Sequence, residues 1–149
     1  MDSNRNEQIR VIALAVLRQA DHIFVTEYVH PITGELYYRP LGGGVDFYET
    51  GEDAIRRELL EEIDADLTDV HYVGMMENIF TTEDSRGHQI CLMYTATFTE
   101  AHRNTTDYIV EGQEGETPFK AMWKPISIFR TGSPSLYPNG LLDLLDNSV

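Results

Sequence analysis

Residues Gly43 to Ala65 read GGVDFYETGEDAIRRELLEEIDA, and the rest of the chain is understood from them. A loop centred on Gly42, Gly43 and Gly44 leads in. Thr50-Gly51-Glu52-Asp53 then opens a helix as a capping box, a hydroxyl at the N-cap and a carboxylate three residues on. Ile55, Leu59, Leu60 and Ile63 recur at helical spacing up to Asp64. At about 100° per residue, with Glu58 at zero, Glu62 falls near 40°, Glu61 near −60° and Arg57 near −100°. Ile55, Leu59 and Ile63 share the adjoining arc, at roughly 60° to 140°. One side of the helix therefore packs while three carboxylates and a guanidinium converge beside it, and Glu49 can fold back toward them from just ahead of the helix. A Glu-rich helix face is ordinarily a solvated surface, and three Glu on one arc repel. The glycine-rich approach, the acid at the loop-to-helix junction and Arg57-Glu58 ahead of Glu61-Glu62 favour a cation site instead. Oxygen-only ligands of high charge density suit Mg²⁺ or Mn²⁺, which would neutralise the cluster and accept phosphate oxygens.

Outward from this helix the pattern changes to strands. Arg10 to Arg18 and His22 to Val29, rich in Val, Ile, Phe and Tyr, flank Gln19-Ala20-Asp21 and read as a hairpin. Pro31 and Gly34 mark a turn, and Leu36, Tyr37 and Tyr38 a short extended piece ending at Pro40. Past the helix, Val70 to Ile79 reads as a strand and Thr82 to Gly87 as a polar turn. From Gln89 to Glu100 the chain alternates, with Ile90, Leu92, Tyr94, Ala96 and Phe98 on one face. Residues 101–118 read as an acidic loop, Phe119 to Trp123 as a short strand and Leu136 to Leu145 as a closing helix. Strands, one strong helix, more strands and a last helix give an α/β or α+β sandwich in one domain over residues 1–149, not a run of βαβ units.

Composition limits the function classes. At 149 residues and 42% apolar the chain can bury about two thirds of its unfolded surface without disulfides or structural zinc. Twenty-five acidic against eleven basic residues leave a net charge of −14, which repels DNA, RNA and anionic headgroups. The longest apolar run, Val11 to Leu17, is far short of the roughly 20 residues of a membrane helix. Its mixed upstream flank is unlike a signal peptide. The single Cys91 fits a reducing compartment, and a cytoplasmic protein is expected.

The quoted segment resembles the Nudix box: Gly, five residues, Glu, seven residues, Arg-Glu, an aliphatic, any residue, Glu-Glu, any residue, Gly, an aliphatic. Gly43, Glu49, Arg57, Glu58, Leu59, Glu61 and Glu62 stand in register, and Asp64 replaces the late glycine. Asp tolerates the left-handed conformation that ends such a helix. The Arg39-Pro40-Leu41 approach and the Trp123-Lys124-Pro125 segment look like the family's layout. The resemblance implies an α/β/α sandwich around a mixed sheet and hydrolysis of a nucleoside diphosphate linked to another group X. That range covers nucleoside triphosphates, NDP-sugars, ADP-ribose and dinucleotides. It further implies that Glu58 and Glu62 are metal ligands, that Glu61 faces the metals, and that Gly43 adds a backbone carbonyl. Arg57 and Glu49 would orient the glutamates, with Arg57 and Glu61 counted in the catalytic set. The substrate is expected among Arg39, Gln89 and Glu49. Relatives often dimerise, so a homodimer is an expectation; a nucleic-acid polymer or a membrane is not.

The box does not specify the general base. Glu111, Glu114 and Glu116 lie seven to twelve residues before Trp123, where relatives often carry an extra acid, and Glu116 is favoured ahead of Glu114. His88-Gln89 occupies a place where some relatives have His-Glu, so position 89 acts as an amide if it acts at all. Trp123, Tyr37, Tyr38 and Tyr94 could stack on a base, although aromatics at strand spacing are mostly core. Other chemistries lack their residues: there is no Gly-x-Ser-x-Gly elbow, no P-loop Gly-Lys-Ser/Thr and no paired cysteine. Phe80 stands where ADP-ribose hydrolases often have proline, and Thr81 and Thr82 where many dinucleoside polyphosphate hydrolases have tyrosine. Two other classes compete: a Nudix-like module that senses a nucleotide without turnover, and an acidic interaction protein. The intact Glu58, Glu61 and Glu62 weigh against the first.

Overall fold

The computed structural model describes residues 7–81 and 86–147. The long apolar run becomes β1 (Ile9–Gln19), turning at Ala20 into β2 (His22–Val29). The two strands pair only at the hairpin end, Arg18 with Ile23 and Gln19 with His22, and then splay. β3 (Leu36–Arg39) follows β2 antiparallel. Pro40, which has no N–H to give a ladder, breaks the strand, and the chain crosses to β1 as β4 (Leu41–Gly44). The glycine stretch expected as a loop is thus a strand. The glycines allow it: a Cβ on Gly42 would collide with the Ala13 carbonyl oxygen, so only a bare backbone fits there.

α1 (Gly51–Ile63) has the expected ends. Thr50 Oγ1 accepts from the Asp53 N–H at 3.1 Å, and Asp64 takes the left-handed conformation at φ 55° that the missing glycine would have supplied. β5 (Leu67–Thr81) and β6 (Arg86–Phe98) form a long hairpin with register shifts near Asp69 and Val73. Of the turn expected over Thr82 to Gly87, residues 82–85 lie outside the described part, and Arg86 and Gly87 already belong to β6. β6 runs parallel to β1, which makes the sheet mixed.

The acidic stretch 101–118 is not a loop throughout. After a 3₁₀ turn (Ala101–Asn104), β7 (Ile109–Glu114) pairs with β8 (Thr117–Pro125) across a two-residue turn at Gly115, φ 60°. Gly-Glu is a hairpin dipeptide, a signal the surrounding charge obscured. The closing helix also begins later than its apolar pattern: β9 (Ser135–Leu136) adds to β3, Pro138 intervenes, and α2 spans Leu141–Asn147. Among the described residues no helix is long and apolar enough to cross a membrane.

Period-two alternation sends β1 side chains into two cores. Ala13, Ala15 and Leu17 meet Ile55, Leu59 and Ile63 of α1, together with Phe24, Phe98 and Trp123. Ile12, Leu14 and Val16 face the other way, toward Met93, Met122, Phe129 and α2 residues Leu141 and Leu145. Helices on both faces of a mixed sheet make the α/β/α sandwich.

α1 has no basic residue in its last turn, yet its C-terminal end is capped from afar. Arg103, buried, donates to the Ile63 carbonyl at 3.3 Å and the Asp64 carbonyl at 3.2 Å, and is itself held by Glu100 and the Tyr108 hydroxyl. Arg103→Met should cost about 2–4 kcal/mol by leaving these buried acceptors unmatched. Urea unfolding followed by Trp123 fluorescence measures the loss; a variant as stable as the parent would show the cap to be idle.

Candidate active site

β4 and α1 face each other across the first core, and the glutamates sit where they meet. Gly43, opposite Ala13 on β1, lies against Glu58: a Cβ there would come within 2.6–2.8 Å of its carboxyl atoms. Gly51 is needed at the helix start for a similar reason, since any side chain would strike the Tyr94 ring.

Arg57 binds this arrangement together. Its Nε and Nη2 grip both oxygens of Glu49 at 2.8 and 2.9 Å. Nη1 donates to Glu58 Oε1 at 2.9 Å, and Nη2 also reaches the Gly44 carbonyl at 3.0 Å and Asp46 Oδ2 at 3.4 Å. Glu49 folds back as expected, taking the Asp46 N–H as well. The Arg57 hydrogen bonds, with that backbone donor, hold its carboxyl down at about 2.

Glu62 has the opposite environment. It is buried, and burial, the negative charge of Glu58 and that of Glu114 push its carboxyl up to about 8, against a partial pull from Arg39; a hydrogen bond with Glu58 adds to the rise. Two adjacent carboxylates sharing a proton in a half-dry site are what a hard divalent cation would displace that proton from. The donor chemistry therefore fits Mg²⁺ or Mn²⁺: oxygen only, and an open backbone at Gly43. The ring of ligands is incomplete, because Glu61 points outward, 59% exposed, with its oxygens 3.5 Å from Arg57. Among the described residues no three His, Cys, Asp or Glu side chains lie close enough to hold an ion as a preformed set.

The remaining candidates fall in different places. Arg39, at the end of β3, is half-buried near the Tyr28 ring (5.9 Å), and its charge reaches Glu62. Gln89 on β6 accepts from Asn78 at 3.2 Å. Glu116 lies exposed in the β7–β8 turn, whereas Glu114, at the end of β7, is the loop acid whose charge bears on Glu62. Tyr38, Tyr94 and Trp123 are core residues. Tyr37 stacks on Tyr28 at 5.1 Å, and Tyr28 in turn feels Glu62 and Glu114, a neighbour of the site that no spacing in the sequence announces.

A helix presenting an arginine-organised glutamate pair beside a glycine strand, set in this sandwich, is the arrangement that the resemblance to the Nudix box leads one to expect. The NUDIX domain family model matches residues 7–129, and the chain belongs to that family. Among solved structures it is similar to a MutT NUDIX hydrolase from Burkholderia pseudomallei, at 20% identity and TM-score 0.64 over 96% of this chain and 100% of that one. It is also similar to a NUDIX hydrolase from Nitrosomonas europaea, at 16% identity and TM-score 0.66 over 93% and 87%. A mutator MutT protein from Bacillus halodurans aligns at 14% identity and TM-score 0.59 over 93% and 81%. At these identities the likeness concerns the fold. No curated protein matches the chain significantly.

Glu62 makes the metal-free protein sensitive to pH. Its folded value lies above the 4.5 of an ordinary glutamate, so from about pH 5 to 8 the unfolded chain has released a proton that the folded one keeps, and stability falls as pH rises. Melting in EDTA should show this decline, Glu62→Gln should flatten it, and Mg²⁺ should raise Tm more at pH 8 than at pH 5.5. A decline of equal slope in the variant would assign it elsewhere. Gly43→Ala tests the cradle separately. The new Cβ displaces the Glu58 carboxyl, so Mn²⁺ affinity should drop about 10-fold, as when the surroundings of a ligand are disturbed, with little change in Tm.

Proposed function

We propose that the chain is a Mg²⁺- or Mn²⁺-dependent hydrolase that cleaves the pyrophosphate bond of a small nucleoside diphosphate linked to another group. The observation that carries this reading is the Glu58–Glu62 pair, one member clamped by Arg57 and the other buried against it. Glu58 and Glu62 would hold the ion, with Gly43 and Glu61 beside them, and the bound ion would supply the positive charge that phosphoryl transfer needs.

The chain's own residues do the rest. Arg57 keeps Glu58 aimed at Gly43 and screens it from Glu49 and Glu61. Water attacks one phosphorus, its oxygen–phosphorus bond forming as the bridging bond breaks and the second phosphate leaves. The water's proton passes to a carboxylate, and Glu114 is the better placed of the loop acids because its charge already reaches Glu62. Arg39, whose charge reaches the same carboxyl, stands where it can attract substrate phosphate. The net charge of −14 favours a small substrate delivered with its metal over a nucleic-acid polymer. The proposed setting is the cytoplasm, where a free buried thiol such as Cys91 keeps its reduced form.

A phosphate-release screen over NTPs, dNTPs, ADP-ribose, NDP-sugars and dinucleoside polyphosphates, with Mg²⁺ and with Mn²⁺, tests the reading. Turnover should fall at least about 100-fold in Glu62→Gln, as expected for an impaired metal clamp. Unchanged turnover in that variant refutes the site. Nucleotide binding without any turnover would favour a sensing module instead.

A further inference from the structure

On the α1 side of the sheet, an apolar surface continues past the end of the first core. Side chains in register project to one side of a sheet, and there Ala13 of β1 and Leu92 of β6 pack beneath the helix, with Met75 of β5 next in line. Toward the start of β1 the same side continues through Val11, Ile90 and Glu77, then through Ile9, His88 and Ile79. No described residue covers these rows. Ile9, Val11, Met75 and Ile79 are between 41% and 66% exposed.

The loop from β4 to α1 borders this surface. At one end the Val45 N–H donates to the Val11 carbonyl at 3.0 Å, and at the other Gly51 lies against the Tyr94 ring of β6. Phe47 and Tyr48 project from it, both 99% exposed, with ring centroids 6.3 Å apart. The loop is anchored, because Arg57 holds Asp46 and Glu49 on either side of the two rings. Tyr48 sits at φ 72°, a left-handed conformation that a bulky residue adopts only where its surroundings impose it.

Area and charge together indicate what fits. Two fully exposed aromatic side chains and four half-exposed aliphatic ones present on the order of 800 Å². That exceeds the patches of an ordinary monomer and matches what each partner gives a stable interface. The acids around it are matched, in a chain of net charge −14. Glu77 lies 3.6 Å from His88, Glu7 pairs with Arg86 at 2.8 Å, and Arg57 takes up Asp46 and Glu49. A second copy of this polyanion can approach here without the repulsion that unmatched acid imposes, whereas an anionic membrane is repelled by the chain as a whole.

We propose that this face binds a second copy of the chain. The two surfaces pack about a two-fold axis, Phe47 and Tyr48 of each copy seated on the aliphatic rows of the other. Docking also fixes the loop that carries Asp46 and Glu49. The inference stands independently of the hydrolase reading.

Sedimentation velocity of the full chain tests it. At tens of micromolar the parent should sediment with twice the 17.0 kDa of one chain. Ile79→Glu and Phe47→Glu, each at an exposed position, should weaken association at least about 10-fold, and Ile32→Glu, equally exposed in the β2–β3 turn, should leave it unchanged. Raising the NaCl concentration should tighten the parent dimer about 3-fold or more, by screening two polyanions from each other. A monomer at every concentration overturns the proposal and leaves the face to some other partner. So does a dimer that both variants leave intact, which uses another face, or one that salt loosens, which is held by ion pairs. If a variant does not fold, hydrogen exchange of the parent decides: residues 46–48 and 75–79 should exchange more slowly as the protein is concentrated, and unchanged exchange there overturns the interface.

Discussion

A single guanidinium reconciles four acidic side chains that would otherwise drive this corner of the molecule apart. Arg57 contacts Glu49, Glu58, Glu61 and Asp46, and the backbone of Gly44 besides. Its fork geometry matters: a lysine could neutralise one partner but could not grip both oxygens of Glu49 while reaching Glu58. Because those partners lie on the glycine strand, on the loop and on the helix, this one side chain also sets the distance between α1 and β4. The Gly43 cradle exists only at that distance.

The strands make this corner possible by parting company early. β1 and β2 share two residue pairs and then diverge, β4 taking over beside β1 and β3 beside β2. The chain crosses from one leaf to the other at Pro40, which places Arg39 at the end of one leaf and Gly42–Gly44 at the start of the other. A hairpin paired along its whole length would leave β1 no free edge for β4. The active site is, in this sense, a consequence of where the first hairpin stops.

Local patterns in the sequence revealed the helix and much of its chemistry. The Thr50 cap, the apolar spacing of Ile55, Leu59 and Ile63, and the Asp64 stop are all short-range properties, and each is realised. Angular projection places Glu58, Glu61 and Glu62 on one arc but cannot weigh what lies opposite. Burial separates them, Glu62 turning inward toward β7 and Glu61 outward to solvent. Residues 109–114 were obscured by composition: two glutamates, a glutamine and a glycine within six residues resemble a loop until the partner strand is known. Tyr28 and Arg103 act through distant parts of the chain, Tyr28 beside the charges of Glu62 and Glu114 and Arg103 at the far end of the helix, and nothing in their immediate sequence could announce that.

The end of α1 that carries Glu62 concentrates unfavourable charge. The helix terminus is itself negative, Glu62 and Glu58 crowd one another, and Glu114 approaches from β7. An ordinary helix would carry a lysine or arginine in its last turn, but that turn consists of Leu60, Glu61, Glu62 and Ile63. The compensating cation comes instead from Arg103, forty residues away for the Ile63 carbonyl it caps. Placed there, Arg103 offsets the dipole without touching the carboxylate pair, whose Glu58 is held by Arg57. A cation inside the pair would stabilise the fold more, and would abolish the tension that lets the pair exchange a proton for a metal ion. The arrangement thus keeps the destabilising element local and supports it from behind, as expected where a site must stay reactive on a scaffold that must stay folded.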